Sequence, residues 1–473
     1  MDTQLVVLGG GPGGYAAAFL AADLGMQVTL VDVEPVLGGV CLLRGCIPSK
    51  ALLHVAKAMA EAEHLADWGV AFSKPRIDLE AMRTRKNKVI ATLTGGLAQL
   101  SKKRNVRFVR ARAFFENSQA LRLEPVGNQP LDDDRLKFAH CILATGSSPT
   151  KLPALELPTA RVMDSTGALD LPDVPETLLV VGGGYIGLEM GTVYAAMGSK
   201  VSVVEMTDGL LPGADRDLVK PLHKKLERDF ESIWLNTKVI SLAEKKNAIE
   251  VAFEGPEGKK TQRFSRVLVA VGRRPNSAGL WLEKTKVQVD PKGFVTVDRQ
   301  QRTADPHILA IGDVAGEPML AHKAAHEGKV AAEVLAGHAA AFEPRAIPAV
   351  VFTDPEIAWA GLTETEAKKQ GRKIETAVFP WGASGRAQSV GRPDGLTKWI
   401  LDPETQRVVG CSIVGVAAGD LISEAVVAIE MGAHLRDLTD SIHPHPTLSE
   451  TMAFAAEVYF GTATDLYRPK AKT

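Results

Sequence analysis

Two copies of one glycine-rich pattern, 173 residues apart, restrict this 473-residue chain more than any other feature of it. In the first copy the apolar run Leu5-Val6-Val7-Leu8 leads into Gly9-Gly10-Gly11-Pro12-Gly13-Gly14, then into the alanine-rich stretch Tyr15 to Ala22, and Gly25 stands where a helix would stop. A second apolar run, Val28 to Val31, ends at Asp32. Gly9, Gly14, Gly25 and Asp32 recur as Gly182, Gly187, Gly198 and Glu205, each displaced by 173 residues. Strand, glycine turn, helix and a second strand ending in an acid make the βαβ unit that binds dinucleotides. Gly9 and Gly182 make the tight turn, Gly11 and Gly184 let backbone approach a pyrophosphate, and Gly14 and Gly187 let helix pack on strand. The helix N-terminus then faces the anion.

Two such sites in one chain imply that electrons pass between two cofactors. Asp32 is placed to accept hydrogen bonds from a ribose. Glu205 would meet a ribose 2′-hydroxyl and repel a 2′-phosphate, and Met206-Thr207 supplies no arginine to hold one, so the second site should take NAD rather than NADP. The expected fold class is α/β, with two Rossmann-like dinucleotide-binding domains and an α+β C-terminal domain. The length suggests three or four domains. Their expected spans are 1–150, 151–271, 272–345 (completing the first cofactor site) and 346–473. Lys plus Arg (55) and Asp plus Glu (56) nearly cancel and no basic block occurs, which excludes the electrostatic footprint of a nucleic-acid binder. No secretory signal is evident in MDTQLVVLGGG and no uninterrupted apolar run approaches bilayer length, so a soluble cytoplasmic protein without membrane attachment is expected.

Only four cysteines are present, and two of them, Cys41 and Cys46, sit five positions apart in GGVCLLRGCIPSK. A reducing compartment leaves such pairs mainly catalytic or metal-binding roles. The spacing is not CxxC, Cys141 and Cys411 lie far off, and His322 and His326 have no evident third ligand, so no metal site is expected. Residues five apart in an ideal helix are rotated by about 140°, too far for a disulfide. A bonded pair therefore needs distorted backbone near Arg44-Gly45; two buried structural thiols are the other reading. Residues 51 to 105 read as long helices interrupted at Gly95-Gly96. Near the end, HPHPTLSE offers two histidines, His443 and His445, kept out of a helix by prolines. Histidine suits proton transfer near neutral pH. Glu450 could orient a histidine or turn back to the Thr447 N–H as a capping residue. The apolar run Met452 to Val458 could serve an interface.

From GGGPGG through LGGVCLLRGCIPSKALLH, LTGGLA, ILATGS, GGGYIGLEMGTVY, GRRPN, AIGDVAGEPMLAHKAAHEG, TDPEIAW and PWGASGRA to HPHPTLSETMAFAAEV, the chain resembles the pyridine nucleotide-disulfide oxidoreductases nearly end to end. The likeness is nearest to bacterial members that oxidise dihydrolipoyl groups for 2-oxo acid dehydrogenase complexes. That resemblance implies FAD in the first site, NAD in the second, and a redox-active Cys41–Cys46 disulfide against the flavin. It also implies Lys50 paired with Glu189, Asp313 on the flavin's polyol, and Thr145, Gly146, Gly272, Met319 and Ala321 around the cofactors. His445 would be the base, oriented by Glu450 and supplied by the other subunit of a homodimer. The partner would be a lipoyl-bearing acyltransferase or lipoyl carrier protein. A reductase of another small disulfide, or a non-catalytic flavin-fold binding component, is the alternative. By sequence alone Lys50 is equally an ordinary surface lysine. Two departures stand out: Asp32 replaces the usual glutamate, and Leu43-Arg44 replaces the usual Asn-Val. Arg44 would either stabilise a thiolate or point to solvent.

Overall fold

Leu5 to Leu8 and Val28 to Val31 are all buried, as strands covered on both faces must be. In the computed structural model, which describes residues 1–127 and 130–466, Asp2–Leu8 and Val28–Asp32 lie parallel with Leu5 opposite Val28. Arg107–Asn117 extends this sheet beyond Val28–Asp32, and Arg135–Leu143 extends it beyond Asp2–Leu8. The outermost parallel strand, Ile308–Ala310, returns from much later in the chain and delivers Asp313 to this unit. Arg107–Asn117 and Arg135–Leu143 also run on into an antiparallel layer with Ala120–Pro125.

The second unit repeats the plan. Thr177–Val181 is flanked by Lys200–Val204 and Arg266–Val269, all parallel, with Ser232–Trp234 and Val162–Met163 at the edges. The segment joining the two units, punctuated by Pro149, Pro153, Pro158 and Pro172, thus supplies the edge strand Val162–Met163. Gly9 has φ +115°, and a Cβ there would lie 2.2 Å from Ala144 O; a Cβ on Gly14 would lie 1.8 Å from Gly9 O. Gly182 (φ +107°) and Gly187 repeat both constraints, the second at 2.4 Å from Gly182 O. Only glycine permits these turns and this close seating of helix on strand.

From Ala349 onward the chain forms a five-stranded antiparallel sheet around buried Trp381 and Trp399. Met452, Ala455, Ala456 and Val458 of helix Glu450–Phe460 pack into this core, so most of the Met452–Val458 run is interior rather than interface. The exposed apolar side chains of this domain include Val427, Met431 and Ile442 instead. Its buried Lys398 reaches back to the second unit, where Nζ donates to Asp215 Oδ2 and to Asp217, each at 2.9 Å, and within its own domain Nζ donates to Glu364 Oε1 at 2.6 Å. The carboxylates Asp215, Asp217 and Glu364 come close enough to hold a cation, and Lys398 is that cation.

The expected interruption at Gly95-Gly96 is absent: helix Leu79–Lys103 passes through both glycines. Each interior glycine costs about 1 kcal/mol against alanine, too little to break a 25-residue helix whose first turn is capped by Asp78. Gly39–Trp68, read as one helical stretch, is long enough and just apolar enough to match a bilayer span by composition. It is broken at Gly45 and tied through Lys50 to Glu189, as befits a helical segment joining two units of one fold.

Candidate active site

Helix Gly39–Arg44 stops at Gly45 (φ −144°, ψ −118°), and helix Cys46–His64 starts at once. The break returns Cys46 to Cys41, and the two free thiols share a hydrogen bond. A Cβ on Gly45 would lie 2.8 Å from Val40 O and 3.2 Å from Cys41 Cα, so only glycine permits the break. The hydrogen bond from Cys41 pulls the Cys46 thiol down to about 7; burial opposes this and Lys50 assists it. The same bond and burial push Cys41 up. Cys46 therefore carries the charge and Cys41 the proton.

Lys50 stands one helical turn beyond Cys46. Its Nζ donates to both oxygens of Glu189 at 3.0 and 2.9 Å and lies 4.4 Å over the Phe352 ring. The Phe352 N–H donates to the same carboxylate at 3.1 Å. Glu189 is only 3% exposed, so Lys50 is no ordinary surface lysine: here the first unit, the second unit and the C-terminal domain meet. Phe352 was not legible as a site residue, although it immediately precedes the TDPEIAW segment.

Cys41, Cys46, Lys50 and Glu189 line a cavity of about 720 Å³, shared with Gly9, Gly11, Asp32, Thr145, Gly146, Asp313, Met319 and Ala321. That volume suits a large ligand. Helix Pro12–Asp23 opens on this cavity at Gly11 with no side-chain cap, leaving its first N–H groups for an anion. Ser147 Oγ donates to Asp313 and accepts from Arg273 Nε at 2.8 Å. Asn276 clasps the neighbouring turn: its Nδ2 donates to Thr145 O at 2.9 Å and its N–H to Gly146 O at 2.9 Å, while Thr145 Oγ1 donates to Asn276 O at 2.8 Å. A dinucleotide with a polyol chain fits these residues.

The repeat extends to individual hydrogen bonds. Asp32 accepts the N–H of Gly10 and, at 2.8 Å, that of Glu34. Glu205 accepts the N–H of Gly183 at 2.7 Å and that of Thr207 at 2.8 Å. The shorter aspartate thus makes both contacts of the glutamate, and burial pushes its carboxyl up. Gly182, Gly184, Gly187, Glu205 and Gly272 do not line the large cavity; they belong to the second unit, whose helix Tyr185–Ala196 also starts without a side-chain cap. Arg44 pairs with Glu34, a partner the sequence did not suggest, and both line the cavity. It does not point freely to solvent, and the cation that favours charge on the sulfurs is Lys50.

His443 and His445 are sorted by their partners. Both ring nitrogens of His443 are engaged, by Ser441 O at 2.9 Å and Glu424 Oε1 at 2.8 Å, and its side chain is 10% exposed. His445 is 78% exposed; its Nδ1 lies 2.9 Å from Glu450 Oε1, and its Nε2 has no partner among the described residues. The Thr447 N–H donates to Glu450 Oε2 at 2.8 Å, so one carboxylate performs both jobs the sequence left as alternatives. Neither His445 nor Glu450 lines the cavity that holds the cysteines of the same chain. His322 Nε2 lies 2.7 Å from Pro348 O, a backbone contact.

Residues 3–328 match the family described as pyridine nucleotide-disulphide oxidoreductase, and residues 347–456 match the dimerisation domain of that family. The chain is similar to the dihydrolipoyl dehydrogenase of Vibrio parahaemolyticus, 49% identical with 100% of this chain and 98% of the relative covered. It is 50% identical to that of Haemophilus influenzae over the same shares. Among solved structures, LpdA from Mycobacterium tuberculosis superposes with a TM-score of 0.88 at 27% identity, covering 96% of this chain and 99% of the other. A Cu(II) complex of the HOCl-induced flavoprotein disulfide reductase RclA from Escherichia coli gives 0.85 at 28%, covering 97% and 99%.

Proposed function

The chain belongs to the pyridine nucleotide-disulphide oxidoreductase family, and from that premise we infer that it oxidises protein-bound dihydrolipoyl groups to lipoyl groups with reduction of NAD+ to NADH. The observation that carries this reading is the pair Cys41 and Cys46 on the cavity wall, with Lys50 held one helical turn beyond Cys46 by Glu189.

In the oxidised enzyme the pair is a disulfide. His445 Nε2 takes the proton from one dihydrolipoyl thiol, while Glu450 holds Nδ1 and balances the charge that forms on the ring. The thiolate attacks Cys41 Sγ; the Cys41–Cys46 bond breaks and its electron pair leaves on Cys46, where Lys50 favours the charge. The second dihydrolipoyl sulfur attacks the first, its proton ends on Cys41 as that sulfur leaves, and lipoyl disulfide is released. The hydride chemistry that then removes the electron pair and restores the disulfide is that of FAD and NAD+ when bound. Gly9, Gly11, Gly14, Asp32, Thr145, Gly146, Asp313, Met319 and Ala321 would hold FAD. Gly182, Gly184, Gly187, Glu189, Glu205 and Gly272 would hold NAD.

Because His445 stands apart from the cavity of its own chain, the base is read as coming from a second copy, which makes the active unit a homodimer. The lipoyl group arrives on an acyltransferase or lipoyl carrier protein of a 2-oxo acid dehydrogenase complex, in the cytoplasm. Reduction of another small disulfide is a second reading, favoured only by the likeness to RclA. The purified protein should reduce NAD+ with dihydrolipoamide and work poorly with NADP+. Cys46→Ser should abolish that turnover while FAD stays bound; turnover undiminished in that variant would end the proposal.

A further inference from the structure

His443, the histidine not assigned as the base, is held in a way that fixes its protonation. Its Nδ1 meets the carbonyl oxygen of Ser441 and its Nε2 meets Glu424 Oε1. A carbonyl and a carboxylate only accept, so both ring nitrogens must donate, and a ring with two N–H groups is an imidazolium. The charged groups acting on it are carboxylates from both helices nearby: Glu424 of Ala418–Met431, and Glu450 and Glu457 of Glu450–Phe460. The Glu424 hydrogen bond is the chief cause that raises the pKa of His443.

Two residues on stands His445. The segment between them is pinned from both sides. Thr447 Oγ1 donates to Pro444 O at 2.7 Å and the Thr447 N–H donates to Glu450, which fixes the later side. On the earlier side Ile442 is fully exposed, and the side-chain tie that reaches another element is His443 to Glu424.

We propose that His443 is a positioning residue, an imidazolium clasped by Glu424 that anchors the loop to helix Ala418–Met431 and thereby aims His445 at the substrate dithiol. The proposal rests on the reading of His445 as the base. His443 acts through the loop and touches neither substrate nor cofactor. Loss of one ring proton breaks one of its two hydrogen bonds, so the anchor weakens as pH rises through its raised pKa and holds below it.

A double-mutant cycle tests the pair. His443→Leu and Glu424→Leu should each lower kcat for dihydrolipoamide about tenfold, with FAD content and the KM for NAD+ unchanged. The double variant should lose no more than either single one, as residues acting as a unit do. Wild-type kcat in both single variants, or losses that multiply in the double, would overturn the proposal. Should the variants fail to fold, the wild-type holoenzyme still decides. Imidazole 15N spectra at pH about 7.5, where an unperturbed histidine is mostly neutral, should show two protonated nitrogens on His443; a single N–H there would overturn it. His445→Gln separates the premise. Retained activity in it removes the base reading, whereas an inactive His445→Gln beside an unaffected Glu424→Leu removes only the anchor.

Discussion

Single atoms decide most of the chemistry. The helix break at Gly45 was legible because a bonded pair at five-residue spacing requires distorted backbone there, and the structure adds the reason that glycine occupies it: a Cβ would strike Val40 O. Gly45→Ala should therefore lower stability by about 1–3 kcal/mol, read as a drop in Tm, and should slow re-formation of the disulfide. An unchanged Tm would count against the steric reading. Arg44 was not legible, because its partner Glu34 belongs to another element and nothing local announces the pair. As this ion pair is partly exposed, Arg44→Val should cost less than about 1 kcal/mol. It should leave the long-wavelength thiolate–flavin absorbance titrating near 7, since Lys50 is the cation acting on Cys46. A titration displaced upward would return Arg44 to the sulfur site. Glu450 shows a different limit of sequence reading: two roles stood as rivals until the two oxygens of one carboxylate were seen to serve one each.

Elements were readable where pattern and geometry coincide. The 173-residue repeat predicted two parallel βαβ units, and the match reaches down to paired hydrogen bonds at Asp32 and Glu205. What pattern alone did not convey is how elements from different domains are joined, because such contacts carry no periodicity. Lys398 is the example, a buried lysine on the C-terminal sheet that meets Asp215, Asp217 and Glu364. Asp215 also accepts the N–H groups of Glu364 at 3.1 Å and Thr365 at 2.9 Å, so it caps the start of a helix in another domain. Replacing Lys398 with Met would leave the buried Asp215 carboxylate unpaired. With two half-exposed partners discounting the loss, the cost should be roughly 3 kcal/mol, measurable by denaturant unfolding. A near-neutral result would show that the cluster contributes little. Burial opposes it, yet Lys398 and Thr365 hold the Asp215 pKa below its ordinary value. Its stabilisation is accordingly complete above the unfolded pKa of about 3.9 and is lost as pH falls through the lower folded value.

At the scale of the whole molecule the site is divided. The first unit supplies the cysteines and Lys50, the second supplies Glu189, and the C-terminal domain supplies Phe352 to the same junction. That domain also holds His445 and Glu450, apart from its own chain's cavity and beside the exposed apolar residue Ile442. On the proposed reading, His445 and the Cys41–Cys46 pair, separated in this way, form one site only if a second copy brings its histidine to the first copy's cysteines. The most direct measurement co-expresses Cys46→Ser and His445→Gln chains carrying different tags and isolates the mixed dimer. Each homodimer should be inactive. In the mixed dimer one site combines the intact cysteines of one chain with the intact His445 of the other, so about half of wild-type dihydrolipoamide turnover should return. A mixed dimer as inactive as its parents would contradict the account, because the base would then serve the cysteines of its own chain.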